Sequence, residues 1–136
     1  MSRLNLTVVL LPMLLVGLVG CQQNEFETAP IHGTITLNGE PVQGARVLFI
    51  PSNKKTKAAG GETDRNGQYE IRFTGTQMGS TIGPHRVKVM YEPESGGRER
   101  AGRKSTPKIS PKFLNGNVEV EVQDTDNVFD FELTET

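Results

Sequence analysis

The sequence predicts an all-β protein: an antiparallel β-sandwich of about seven short strands. Three observations carry this. Fifteen Gly and eight Pro in 136 residues cut the chain into short pieces. Apolar and polar residues alternate with period two in one segment after another. Beyond residue 20 no stretch repeats its apolar residues with a helical period. Trp is absent and aromatics make up only 6% of the chain, so the core must be built mainly from Val, Ile, Leu and Phe.

The chain opens on a segment that does not belong to the sandwich. Arg3 supplies a positive start, and Leu6 to Val19 is apolar, with Pro12 inside it. A bilayer-spanning helix needs about 20 apolar residues. A shorter run behind a basic residue fits a cleaved signal peptide. The run ends Leu18-Val19-Gly20-Cys21, which resembles the bacterial lipoprotein signal, or lipobox. The resemblance implies cleavage between Gly20 and Cys21 and a diacylglyceryl or palmitate group on Cys21. Cys21 is the only cysteine, which excludes an internal disulfide. Residues 1–20 are thus expected to be a signal peptide, 21–30 a lipidated tether and 31–136 the folded domain. Gln22 is not the aspartate associated with inner-membrane retention, which favours the outer membrane.

The strands follow in order. From Ile31 to Leu37 the apolar residues Ile31, Ile35 and Leu37 share one face, as in a half-buried strand. Asn38-Gly39 is a tight-turn pair. Pro41 and Gly44 mark a second turn, Pro41 by presetting φ and Gly44 by accepting a backbone that a Cβ would penalise. Ala45 to Ile50 is more continuously apolar, as a central strand requires. Ser52 to Gly61 reads as a loop with Lys54, Lys55 and Lys57. In Asp64-Arg65-Asn66-Gly67 the carboxylate can bond forward to the backbone while Gly67 takes positive φ. Gln68 to Thr74 alternates, with Tyr69, Ile71 and Phe73 on one face. Gly75 to Pro84 is loop, and His85 to Tyr91 is a strand with Val87, Val89 and Tyr91 inward. Glu92 to Asn117 reads as one long loop, and such length points to function or disorder. Val118 to Val122 and Asn127 to Leu133 close the chain, with acids alternating against Val, Phe and Leu.

Three segments then carry a resemblance. They are Gly33 to Val47 with Leu37-Asn38-Gly39-Glu40-Pro41-Val42-Gln43-Gly44-Ala45 at its centre, Thr63-Asp64-Arg65-Asn66-Gly67-Gln68-Tyr69, and Gly83-Pro84-His85-Arg86-Val87-Lys88-Val89. Together they resemble the carboxypeptidase regulatory-like domain, a transthyretin-like (prealbumin-like) Greek-key β-sandwich. Pro111-Lys112-Phe113 and the ending Asn127 to Leu133 resemble small bacterial lipoproteins built on that domain. The resemblance spans about Gly33 to Leu133 and implies a fold and a place in the cell envelope; it implies no activity.

Chemistry is harder to find. His32 and His85 are too few for a zinc site, which needs three or four ligands. Asp64, Asn66 and Gly67 open like a calcium loop but lack its bidentate Glu. No Gly-x-Ser-x-Gly elbow is present. No catalytic residue, metal or cofactor is therefore expected. From Arg86 to Lys112 eight basic residues face three acidic ones, whereas Phe113 to Thr136 holds seven acids and no base. Arg98, Arg100, Arg103, Lys104, Lys108 and Lys112 are the candidate surface for an envelope protein or an anionic polymer. The simpler reading of the same residues is a solvated loop. The near-neutral whole chain, at net −1, gives no nucleic-acid footprint. The expected function is a lipid-anchored, non-catalytic binding or structural module. The alternatives are a hydrolase or carbohydrate-active enzyme, or an accessory subunit of an envelope complex.

Overall fold

The computed structural model describes residues 26–91 and 108–136. The leader, Gly20, Cys21 and Arg98, Arg100, Arg103 and Lys104 lie outside the described residues.

The described chain is nearly all β and sandwich-like. Its strand segments are β1 (Thr28–Ala29), β2 (Ile31–Leu37), β3 (Glu40–Pro41), β4 (Arg46–Pro51), β5 (Ala59–Glu62), β6 (Gln68–Glu70), β7 (Ser80–Thr81), β8 (Gly83–Met90), β9 (Val118–Val122), β10 (Asn127–Val128) and β11 (Phe131–Leu133). One helical turn, α1 (Pro111–Leu114), precedes β9.

One sheet has the order β5-β4-β8-β9 and is antiparallel throughout. The other is centred on β2, whose two edges are each filled by two short segments. Antiparallel β6 and β3 lie on one edge, and β10 and β11 follow each other along the other. The β10 and β11 pairings are parallel, a departure from the antiparallel pattern seen elsewhere among the described strands. A short third pairing, β1 with β7, closes one end.

The alternation read from sequence places the core. Ile31 and Ile35 of β2, Tyr69 and Ile71, and Phe131 and Leu133 face Val47 and Phe49 of β4, Val87 and Val89 of β8, and Val122. Burying each such side chain stabilises the fold by roughly 1.5–3 kcal/mol. Asn38 (φ 52°) and Gly39 (φ 85°) form the primed turn that joins β2 to β3.

Several expectations need correction. β5 reaches into Ser52 to Gly61 and β7 lies within Gly75 to Pro84, both expected as loops. The folded part begins before Ile31: Ala29 is buried and β1 is paired. The described part of the loop expected at 92–117 is structured. Ile109 bridges to Glu135, and Pro111, favoured at a first helical position, starts α1, whose Phe113 is buried. Gln68 to Thr74 is not one strand, because the ladder with β2 ends at Glu70 and Arg72 instead bridges to Gly60 of the other sheet.

Candidate functional site

A concavity of about 760 Å³ opens on the solvent face of the β2-centred sheet. Strand alternation builds it. Residues that point away from the core, His32 and Thr34 of β2, Gln68 and Glu70 of β6, and Val128 and Asp130 of the C-terminal segment, make its surface. Glu62, Asp64 and Arg72 complete its rim, so its charge is mostly acidic.

The geometry beneath this face is specific. In a regular parallel ladder the Thr34 N–H would donate to the Phe129 carbonyl. Here it donates instead to Asp130 Oδ1, at 2.8 Å. The freed Phe129 carbonyl accepts from the Tyr69 hydroxyl, at 2.6 Å. One ladder bond is thus replaced by two side-chain bonds, while the register is the same on both sides of the break: Val128 faces His32 and Phe131 faces Ile35. Gly33 makes the exchange possible, because a Cβ there would come within 1.9 Å of the Phe129 oxygen. Burial, and then the nearby Asp130 charge, push the Tyr69 hydroxyl far above its ordinary range.

The two histidines separate into different environments. His32 Nε2 lies 2.9 Å from Asp126 Oδ2, an acidic partner that sequence proximity did not reveal. Among the described residues no side-chain hydroxyl hydrogen-bonds to His32. His85 is buried between Ser80 Oγ and the Gly83 carbonyl, each at 2.9 Å. A carbonyl only accepts, so Nδ1 carries the proton and Nε2 accepts from the Ser80 hydroxyl. That is the spacing of a nucleophile and its base. Ser80, however, is 0% exposed. The pair acts as an internal clip on the turn that starts β8.

Burial lowers the His85 pKa, opposed by the Gly83 carbonyl and the Glu121 charge. The unfolded chain therefore takes up a proton below about pH 6.5 that the folded chain refuses. His85's contribution to stability is full above that pH and is lost as pH falls toward the lowered folded value. Urea titrations between pH 7.5 and 5 are expected to show this fall, and His85→Gln is expected to lack that component. An identical pH profile in the two proteins would rule out a buried neutral His85.

The turn residues behave as their chemistry requires. Asp64 Oδ1 accepts from the Asn66 and Gln68 N–H groups, at 2.8 and 3.0 Å, and Gly67 has φ 73°. This is a structural turn. Among the described residues no group of three or more His, Cys, Asp or Glu is placed to hold a metal ion. Of the basic residues singled out in sequence, Lys108 and Lys112 are described and exposed. Lys112 Nζ sits 4.7 Å from the centre of the Phe113 ring, and the Lys108 carbonyl accepts from the Thr136 N–H. The structure thus ties Lys108 to the C-terminus, and neither of these two lysines lines the concavity.

No protein-family model matches the chain, and no curated protein matches it. Among solved structures it is similar to a DUF3823 family protein from Parabacteroides merdae, at 12% identity and a TM-score of 0.46. The match covers 81% of this chain and 47% of that one, so the chain spans about half of that protein's length.

Proposed function

We propose that the chain is a lipid-anchored protein of the bacterial envelope whose β-sandwich is a non-catalytic binding or structural module of the carboxypeptidase regulatory-like, transthyretin-like kind. The observation that carries this is the placement of the sole cysteine. Cys21 closes Leu18-Val19-Gly20-Cys21 five residues before Phe26, where the described domain begins. A single acyl chain anchors only marginally, and the two or three of a mature lipoprotein make attachment durable. The sandwich supports the module reading in two ways. The residues behind the family resemblance, Asn38-Gly39 and Asp64 to Gly67, are used as turns. Among the described residues the Ser80–His85 pair stands at catalytic spacing, and its serine is fully buried. The solvent face of the β2-centred sheet is the surface such a module offers.

Cys21→Ala is expected to move the protein from the membrane fraction to soluble fractions, or to leave it as an unprocessed precursor. Intact mass of the wild-type chain is expected to fit residues 21–136 plus a diacylglyceryl group, with or without an added acyl chain. A variant that is correctly cleaved and still membrane-bound would refute the anchor.

A further inference from the structure

We propose that the end of the sandwich bearing Phe26, Met78 and Ile82 lies on an anionic lipid surface, with the Lys54, Lys55 and Lys57 loop against the phosphate headgroups. This rests on the Cys21 anchor proposed above.

The length of chain before the domain selects this end. Four residues separate Cys21 from Phe26, and the five Cα–Cα steps between them, fully extended, span at most about 18 Å. The domain therefore cannot stand off from the membrane, and the end that meets it is the one built by β1 and its partner β7. That end carries three apolar side chains among polar ones. Met78 and Ile82 flank β7 and are 38% and 39% exposed. Phe26 lies beside them, packed edge-on against Phe73 with 6.3 Å between ring centres.

The charge lies next to this patch. A depression of about 320 Å³ is lined by Phe26 and Ile82 on one side and by Pro51, Asn53 and Thr56 on the other. It thereby brings the β4–β5 loop alongside the apolar residues. The Ser52 N–H donates to the Pro84 carbonyl at 2.9 Å, which fixes the loop to the start of β8. Lys54, Lys55 and Lys57 are exposed on it, and residues 51–61 contain no acid. Glu27 lines the same depression, and Glu121 of β9 stands across from Pro84. Asp124 and Asp126 also belong to this end, but they sit on the β9–β10 turn. Because β5 and β9 are the two edge strands of their sheet, these acids and the lysines stand at opposite edges. The domain is thus expected to tilt, with its lysine edge toward the bilayer. Each basic residue near an anionic leaflet favours the docked state by about fivefold.

The test uses the full chain, purified from membranes and reconstituted into vesicles of phosphatidylethanolamine and phosphatidylglycerol. An environment-sensitive fluorophore is placed on Ile82→Cys or, at the opposite end of the sandwich, on Arg65→Cys. The expected result is blue-shifted emission and quenching by a lipid-borne quencher at position 82 but not at 65. The contrast is expected to shrink in the Lys54→Gln, Lys55→Gln, Lys57→Gln chain. Equal exposure to water at both positions overturns the proposal. Intact mass of the same samples reports whether Cys21 is acylated, so failure of the orientation is separable from failure of the anchor. Should Cys21 be unmodified, the anchor reading falls. The labelled chain is then added to the outside of the same vesicles, where a blue shift at 82 sustains the lipid surface and its absence ends it.

Discussion

Gly33→Ala is expected to lower stability by on the order of 3 kcal/mol or more, a loss near or above the upper end of the range for overpacked sites. The added methyl has no flexible side chain to push aside. It meets the carbonyl oxygen of Phe129 at 1.9 Å and the carbonyl carbon at 2.6 Å. The neighbouring backbone is pinned on both sides, by β10 before it and β11 after it. Relief requires the C-terminal segment to leave β2, which would also break the Tyr69 and Asp130 bonds. A domain of this size loses roughly 4–8 °C of Tm per kcal/mol, and its whole margin is about 5–15 kcal/mol. Thermal melts followed by circular dichroism measure the effect. A variant melting within a couple of degrees of wild type would show that Phe129 does not press on Gly33.

Tyr69→Ala is expected to cost about 3–5 kcal/mol, as for other buried aromatic truncations. Tyr69→Phe isolates the hydroxyl and is expected to cost about 1–3 kcal/mol, because the Phe129 carbonyl loses its donor. The two variants together separate the ring's packing from its bond across the sheet. The hydroxyl also sets an alkaline limit. Its folded pKa is raised, so its contribution is full below the unfolded value near 10 and declines as pH rises above it. Wild type is expected to lose stability above pH 10 more steeply than Tyr69→Phe in denaturant titrations. Parallel curves would mean that Tyr69 ionises as freely in the folded chain as in the unfolded one.

Local features were the legible ones. The Asn38-Gly39 turn, the Asp64 to Gly67 turn and the inward faces of β2, β4 and β8 follow from residue chemistry within a few positions. The bonds that define the candidate face join residues far apart in the chain. Tyr69 and Phe129 are 60 positions apart, and His32 and Asp126 are 94 apart. Nothing in the local pattern of either partner announces the other. Gly33 reads as an ordinary interruption of an alternating strand until Phe129 is seen above it. Asp130 fits the outward half of an alternating pattern, which hides its service to the Thr34 N–H. The turn α1 was missed because one turn is too short to show a period. Its Pro111 also resembles a loop residue unless the helix start is already known.

The parallel pairing of β2 with β10 and β11 has a further consequence, for the order in which the chain acquires structure. Thr34 and Asp130 are 96 positions apart, so the first long strand and the last are joined only when almost the whole domain has been synthesised. Such non-local closure slows folding, because the entropy of a large loop is lost before its contacts form. Until residues 127–133 emerge from the ribosome, β2 has an open edge and Ile35 lacks its Phe131 neighbour. Truncation at Asp126 should leave an aggregation-prone chain rather than a smaller sandwich. Under the export proposed above, late closure would keep the chain threadable through a narrow channel until its last residues have been translated.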